Sequence, residues 1–294
     1  MQKFILITER DFTDKFNEFN NVLRLNFRNI VKVGKWLLWM PVLLGIYLYY
    51  VVDREQEANI FDSFYLIDAD DGPLIFVFAI LLCFCSCVAS SVILVVLKPF
   101  FEGEKSADEI DIRNSDWRSL ARVLPQTLVP IVFWCAFAAI FLNIREVWVG
   151  VLLMFLSLTP QSTVLLFYNI SVCVALFEGD KKYVSTGRVF KLIVEELTGS
   201  VGFVLAISIL GLMLPFVFTI PLYVLGDLKM VMLRDMGTDF MFELMCCLTT
   251  ILSVMAFMVY CLFIAIAGVI QYGSAVERVD NVSFNRTLKN FDNL

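Results

Sequence analysis

The chain has 294 residues, 59% of them hydrophobic and 18% charged, with a mean hydropathy of +0.79. Soluble domains run near 45–50% apolar and about 25% charged, so a water-soluble core cannot absorb this excess, and no polar stretch is long enough for an independent soluble domain. A net charge of −6 with a pI near 4.8 excludes the basic surface that nucleic acid requires. With no histidine in the sequence, His-based acid–base catalysis and His-ligated metals are excluded too.

At the start, Lys3 is followed by Phe4-Ile5-Leu6-Ile7 before Thr8-Glu9-Arg10-Asp11 breaks the run. That is too short for the apolar core of a cleavable signal, and the first membrane span is expected to direct insertion. Across residues 10–33, Phe12, Phe16, Phe19, Leu23, Phe27 and Ile30 recur in steps of three and four. This spacing predicts an amphipathic helix with one apolar stripe, leaving Asp14, Glu18, Asn21, Arg28 and Lys32 on the other side.

Six segments are long and apolar enough to cross a bilayer: residues 35–52, 73–97, 123–143, 147–177, 201–226 and 244–274. Trp36 and Trp39 mark one end of the first span and Tyr47, Tyr49 and Tyr50 the other, as in an interfacial aromatic belt. Pro73 follows Asp71-Gly72 and suits a helix start, where proline is tolerated and an acid complements the dipole. The fourth segment contains Pro160, which predicts either one bent, tilted helix or two pieces around a re-entrant loop. Shorter apolar stripes precede the third span (Trp117, Leu120, Ala121, Leu124) and the fifth (Phe190, Ile193, Leu197). The plan is therefore an amphipathic helix, a span out and a span back, three times over, without a residue-level repeat beneath it. Such helices either lie at the headgroup boundary or dock against the bundle and shield its face.

Lys and Arg orient this plan. With the N-terminus inside, 19 of the 23 basic residues fall in inner segments and only Arg54, Arg145, Lys229 and Arg234 in outer loops. Positive charge is retained on the cytoplasmic side, so both termini, including the tail at 275–294, are expected in the cytoplasm.

Chemistry is harder to place. No charged residue lies inside the six spans away from their ends, which disfavours coupled ion pumping and a paired-acid intramembrane protease but leaves uncoupled passage of an apolar solute open. Polar residues at depth are few, chiefly Ser86, Ser90, Ser91, Gln161, Ser162, Thr163, Asn169 and Gln271, and the plainer role for Ser and Thr is close helix packing. The best candidate for a polar cavity is Pro160 with Gln161, Ser162, Thr163 and Asn169, because a proline frees carbonyls beside an amide and hydroxyls. The acidic loop at 53–72 lacks an EF-hand's spacing, since the position of the terminal Glu is Ala79. Cys83, Cys85 and Cys87 do not all share a helix face, so no metal site is expected there. No phosphate-loop, dinucleotide, nucleophile-elbow or zincin motif occurs. No catalytic, cofactor-binding or metal-binding residue is expected.

Tyr168-Asn169-Ile170-Ser171-Val172-Cys173-Val174-Ala175-Leu176-Phe177-Glu178-Gly179, followed by Gly187-Arg188-Val189-Phe190-Lys191-Leu192, resembles a bacterial membrane domain. That domain is found attached to glycerophosphodiester phosphodiesterases and in stand-alone relatives. Thr8-Glu9-Arg10-Asp11-Phe12 and the stretch from Gln271-Tyr272 through Val276-Glu277-Arg278-Val279-Asp280 resemble the stand-alone inner-membrane proteins. The resemblance implies a helical membrane module and supplies no catalytic residues, because the phosphodiesterase domain has no counterpart here. Some members of that group carry the label of carotene-cleaving monooxygenase. Such enzymes hold iron through four histidines on a β-propeller, and a chain without histidine or strand pattern cannot match that label.

The expected fold is thus all-α, a single membrane domain over 1–294 of about six transmembrane helices with amphipathic cytoplasmic interface helices. The expected role is a non-enzymatic module of the bacterial inner membrane, a scaffold or partner subunit. It would present its interface helix, with the stripe of Phe12, Phe16, Phe19, Leu23 and Phe27, to the lipid bilayer or to a protein partner in the membrane. The alternatives are a transporter or lipid-handling protein with a cavity near the fourth span, and an interfacial enzyme drawing on Arg113, Asp116, Arg118, Glu178, Asp180 and Arg188.

Overall fold

The structure is a computed structural model that describes residues 5–53, 72–110, 112, 115, 117–141, 147–178, 186–195, 202–211, 213–215 and 240–280, with positions 217, 220, 221 and 224. Residues 54–71, 142–146, 179–185, 196–201, 225–239 and 281–294 lie outside the described residues, and with them most of the acidic segment, all four basic residues expected outside, and Leu197. Every regular element among the described residues is helical.

Helix α1 runs over Phe12–Leu37 and α2 over Trp39–Asp53. Asp11 caps α1, its carboxylate accepting from the Asp14 amide at 2.7 Å. The two helices meet at Leu38 with a bend of 53°. Helix α3 follows over Gly72–Phe101, α4 over Trp117–Val123, and a 3-10 turn at Leu124–Thr127 feeds α5 over Leu128–Phe141. Helix α6 covers Val147–Phe177 without interruption at Pro160, so the single-helix alternative describes the fourth apolar segment. Helix α7 spans Thr186–Glu195, a shorter apolar helix lies at Gly202–Pro215, and α8 runs over Phe240–Asp280.

Three helices are long and apolar enough to cross a membrane, Val77–Phe101, Trp117–Phe137 and Leu244–Asp280; the bent pair α1–α2 makes a fourth if it counts as one span. Thr163–Phe177 and Gly202–Pro215 are apolar but shorter. The protein is therefore an all-helical chain with three to four candidate spans among its described residues, and such spans imply contact with a lipid bilayer.

Helix α8 organises the bundle. Its 41 residues measure about 60 Å at 1.5 Å per residue, roughly twice the hydrocarbon thickness. On its first half, Val254 packs with Leu44 of α2 and Phe78 of α3. On its second half, Ile264, Ala265, Ile266, Ala267, Val269 and Ile270 are buried in one core with Val22 of α1, Val96 and Leu97 of α3, Leu166 and Ile170 of α6, Leu192 of α7, and Phe203. A helix apolar on all sides belongs in such an enclosed position or in lipid, and α8 divides its length between the two.

Helix–helix contacts in this core are made close by small residues and pinned by few polar bonds. The Tyr168 hydroxyl donates to the Cys87 carbonyl at 3.2 Å and pairs with the Ser91 hydroxyl at 3.0 Å, joining α6 to α3. Asn169 donates its amide to the Ile264 carbonyl at 3.3 Å, joining α6 to α8. One turn further along α8, Gly268 faces the Asn169 side chain so closely that any Cβ there would overlap it.

Candidate functional site

The richest polar constellation sits where α6, α7 and α8 meet. Glu178 follows the last residue of α6, Asp280 ends α8, and Arg188 lies in the first turn of α7. Each charge is misplaced for its own helix, because acids disfavour the negative C-terminal end and a cation disfavours the positive N-terminal end. Together they compensate one another. Arg188 Nε lies 3.2 Å from both Glu178 carboxylate oxygens, its Nη2 lies 3.1 Å from Oε1, and its Nη1 donates to Asp280 Oδ1 at 3.0 Å. A second bond runs from Nη2 to Asp280 Oδ2. The guanidinium is thus held by two carboxylates at once, the planar fork geometry that suits arginine and not lysine.

Tyr272, two turns before the end of α8, donates its hydroxyl to Glu178 Oε1 at 3.0 Å and stacks its ring on Phe177 with centroids 5.7 Å apart. Asp280 and Glu178 keep Arg188 above its already high range, through their hydrogen bonds and charge. All three guanidinium nitrogens are engaged, so this cluster is a clamp that ties three helix ends together.

A second contact lies beside it. Residues 5–11 form a strap across the last turns of α8, with the Leu6 carbonyl against Gly273, where a Cβ would overlap it. Arg10 folds the strap on itself by donating to the Leu6 carbonyl at 3.0 Å and to the Ile5 carbonyl; its burial pulls its pKa below the usual arginine value, against the opposing pull of Glu18 and Asp14. Glu9 pairs with Arg278 at 3.1 Å. The described beginning of the chain and the end of α8 therefore lie side by side.

Of the candidate cavity residues, Pro160 is exposed and Thr163 half-buried, while Asn169 is buried in the α6–α8 contact. Gln161 and Ser162 lie in helix α6, with side chains outside the described set. Pro160 and Asn169 are separated by about 13 Å along the helix. Of the charges considered for an interfacial enzyme, Glu178 and Arg188 come together, Arg118 is exposed on α4, and Arg113, Asp116 and Asp180 lie outside the described residues. Sequence reading missed Tyr272 and Asp280. The available signal was the wrong-way charges at three helix ends.

Cys83 and Cys87 share a face of α3 as an i, i+4 pair, both buried free thiols. Among the described residues no group of three or more acidic or cysteine side chains is placed to hold a metal ion.

The three lead-in helices dock differently from their apolar stripes. On α1 the buried residues are Lys15, Phe19, Val22, Asn26, Asn29 and Val33, a line rotated by roughly 80° from the Phe12-to-Ile30 stripe at 100° per residue. Phe16, Leu23 and Ile30 pack at the margin of the core, whereas Phe12 and Phe27 are 52% and 67% exposed. Asn29 explains part of the rotation, since its amide donates to the Ala107 carbonyl at 2.7 Å. On α4, Ser119 and Val123 are buried and Trp117 is exposed. On α7, Val189, Leu192 and Ile193 are buried while Phe190 and Val194 are exposed.

No protein-family model matches the chain, and no curated protein or solved structure matches it either. What defines the molecule is its own geometry: an all-helical protein with three to four candidate membrane spans, closed at one end by the Arg188 clamp and the N-terminal strap.

Proposed function

We propose that this protein is a non-enzymatic module of the bacterial inner membrane, with six spans, both termini cytoplasmic, and a scaffold or partner-subunit role. The observation that carries this reading is shared by α1, α4 and α7. Each docks one face on the bundle and leaves apolar side chains exposed beside it, Phe27, Trp117 and Phe190 among them. Such a helix can hold the bundle, the bilayer and a partner at once. The clamp supports the same reading, because its charges are spent on each other and tie the helix ends rather than face an open site. The strap beside the end of α8 supports placing both termini on one side, and the resemblance to stand-alone inner-membrane proteins supports the location.

Purification in mild detergent from the native membrane tests the proposal. A fixed partner is expected to accompany the full chain and to be lost when residues 9–33 are deleted. If the protein runs alone and that deletion leaves the cell's phenotype unchanged, the scaffold reading fails.

A further inference from the structure

The outward surface of α1 carries a feature that its docking does not use. Arg24, Arg28, Lys32 and Lys35 follow one another at steps of four, four and three, and so line up on one face of the helix over about 16 Å. All four are exposed, and none has an ion-pair partner among the described residues. They form a basic run on a chain whose net charge is −6.

Exposed apolar side chains flank the C-terminal part of this stripe, while Asn17, Asn21 and Asp14 precede it on the same face. Val31 borders it on one side, and Leu25 and Trp36 on the other, 57% and 78% exposed. Cations set among exposed apolar groups suit a bilayer interface, where the aliphatic stems lie along apolar surface and the charged heads reach phosphates.

The helix geometry brings this face to the membrane. Helix α2 is apolar and joins the end of α1 across a 53° bend. Lys32 and Lys35 lie within two turns of that bend, beside the apolar α2, where a span meets the headgroups. Trp36 and Trp39, both exposed, mark that level as aromatic belts do.

From this arrangement we infer that Arg24, Arg28, Lys32 and Lys35 form a binding stripe for the phosphate headgroups of anionic phospholipids. The inference rests on the proposed membrane placement of α1 and adds the lipid class that α1 selects. It does not depend on a protein partner.

Native mass spectrometry of the full chain, with phosphatidylglycerol or phosphatidylcholine added to the detergent, reads the headgroup preference. Phosphatidylglycerol is expected to be retained on the order of tenfold better, since each juxtamembrane cation favours an anionic surface. The preference should disappear in the Arg24→Gln/Arg28→Gln/Lys32→Gln/Lys35→Gln variant, survive in Arg24→Lys/Arg28→Lys, and be unaffected by Lys105→Gln/Arg118→Gln. Should the fourfold variant not fold, Lys32→Gln/Lys35→Gln alone is expected to lose about half of the preference on a logarithmic scale. Equal retention of the two lipids, or a preference that survives removal of the cations, overturns the stripe.

Nanodiscs with brominated phosphatidylcholine separate this from the underlying placement. Quenching that falls in Trp36→Phe, together with no phosphatidylglycerol preference, leaves α1 in the membrane and refutes only the stripe. Identical quenching in the wild type and Trp36→Phe refutes both.

Discussion

The two halves of α8 have similar apolar sequences and different surroundings. From Ile264 to Glu277 every residue is buried, whereas in the first half Leu244, Met245, Leu248 and Leu252 are exposed between buried Cys246, Thr250 and Val254. Among the described residues, α1, α3, α6, α7 and the strap enclose the second half, and α2 and α3 pack against the first along one side. Apolar composition therefore says that a helix avoids water. Whether it meets protein or lipid depends on which distant segments close around it.

The contrast can be broken or sharpened by substitution, with stability read as thermal unfolding of the full chain in a mild detergent. The largest effect is expected from Gly268→Leu, which forces a side chain into Asn169 where neither α6 nor α8 can give way. Overpacking of this kind should cost about 3 kcal/mol, and a near-neutral result would mean that the second half is not closed. Next comes Arg188→Met, which leaves Glu178 and Asp280 facing each other without their cation. All three groups are partly exposed, so the loss is expected near 2 kcal/mol rather than the full buried-pair value. Adding Glu178→Gln and Asp280→Asn should recover most of it, because the repulsion is then removed. The smallest effect is expected for Leu248→Ala in the first half, below about 0.5 kcal/mol, since this exposed side chain leaves no protein cavity behind.

Much of the helical plan was legible. Steps of three and four announced α1, and the apolar run around Pro160 did form one helix, as neighbouring turns can accommodate a proline in such a setting. The rotation of α1 was not legible, because Lys15, Asn26 and Asn29 look like solvent-side residues until Ala107 offers a carbonyl to Asn29. Ser119 on α4 misleads in the same way. The clamp was half legible: Glu178 and Arg188 stood out as charges near one another in sequence, but Asp280 joins them from 92 residues beyond Arg188. Their helix-end positions oppose the dipole in each helix taken alone, and only the assembled bundle reveals why they are there.

The central claim, that one end of α8 is sealed in protein while the other faces lipid, can be tested with a diazirine-bearing lipid in nanodiscs. On photolysis, the released carbene should label Leu244, Leu248 and Leu252 and leave the stretch from Ile264 to Val276 unlabelled. Comparable labelling along both halves would contradict the enclosure of α8 and the account built on it.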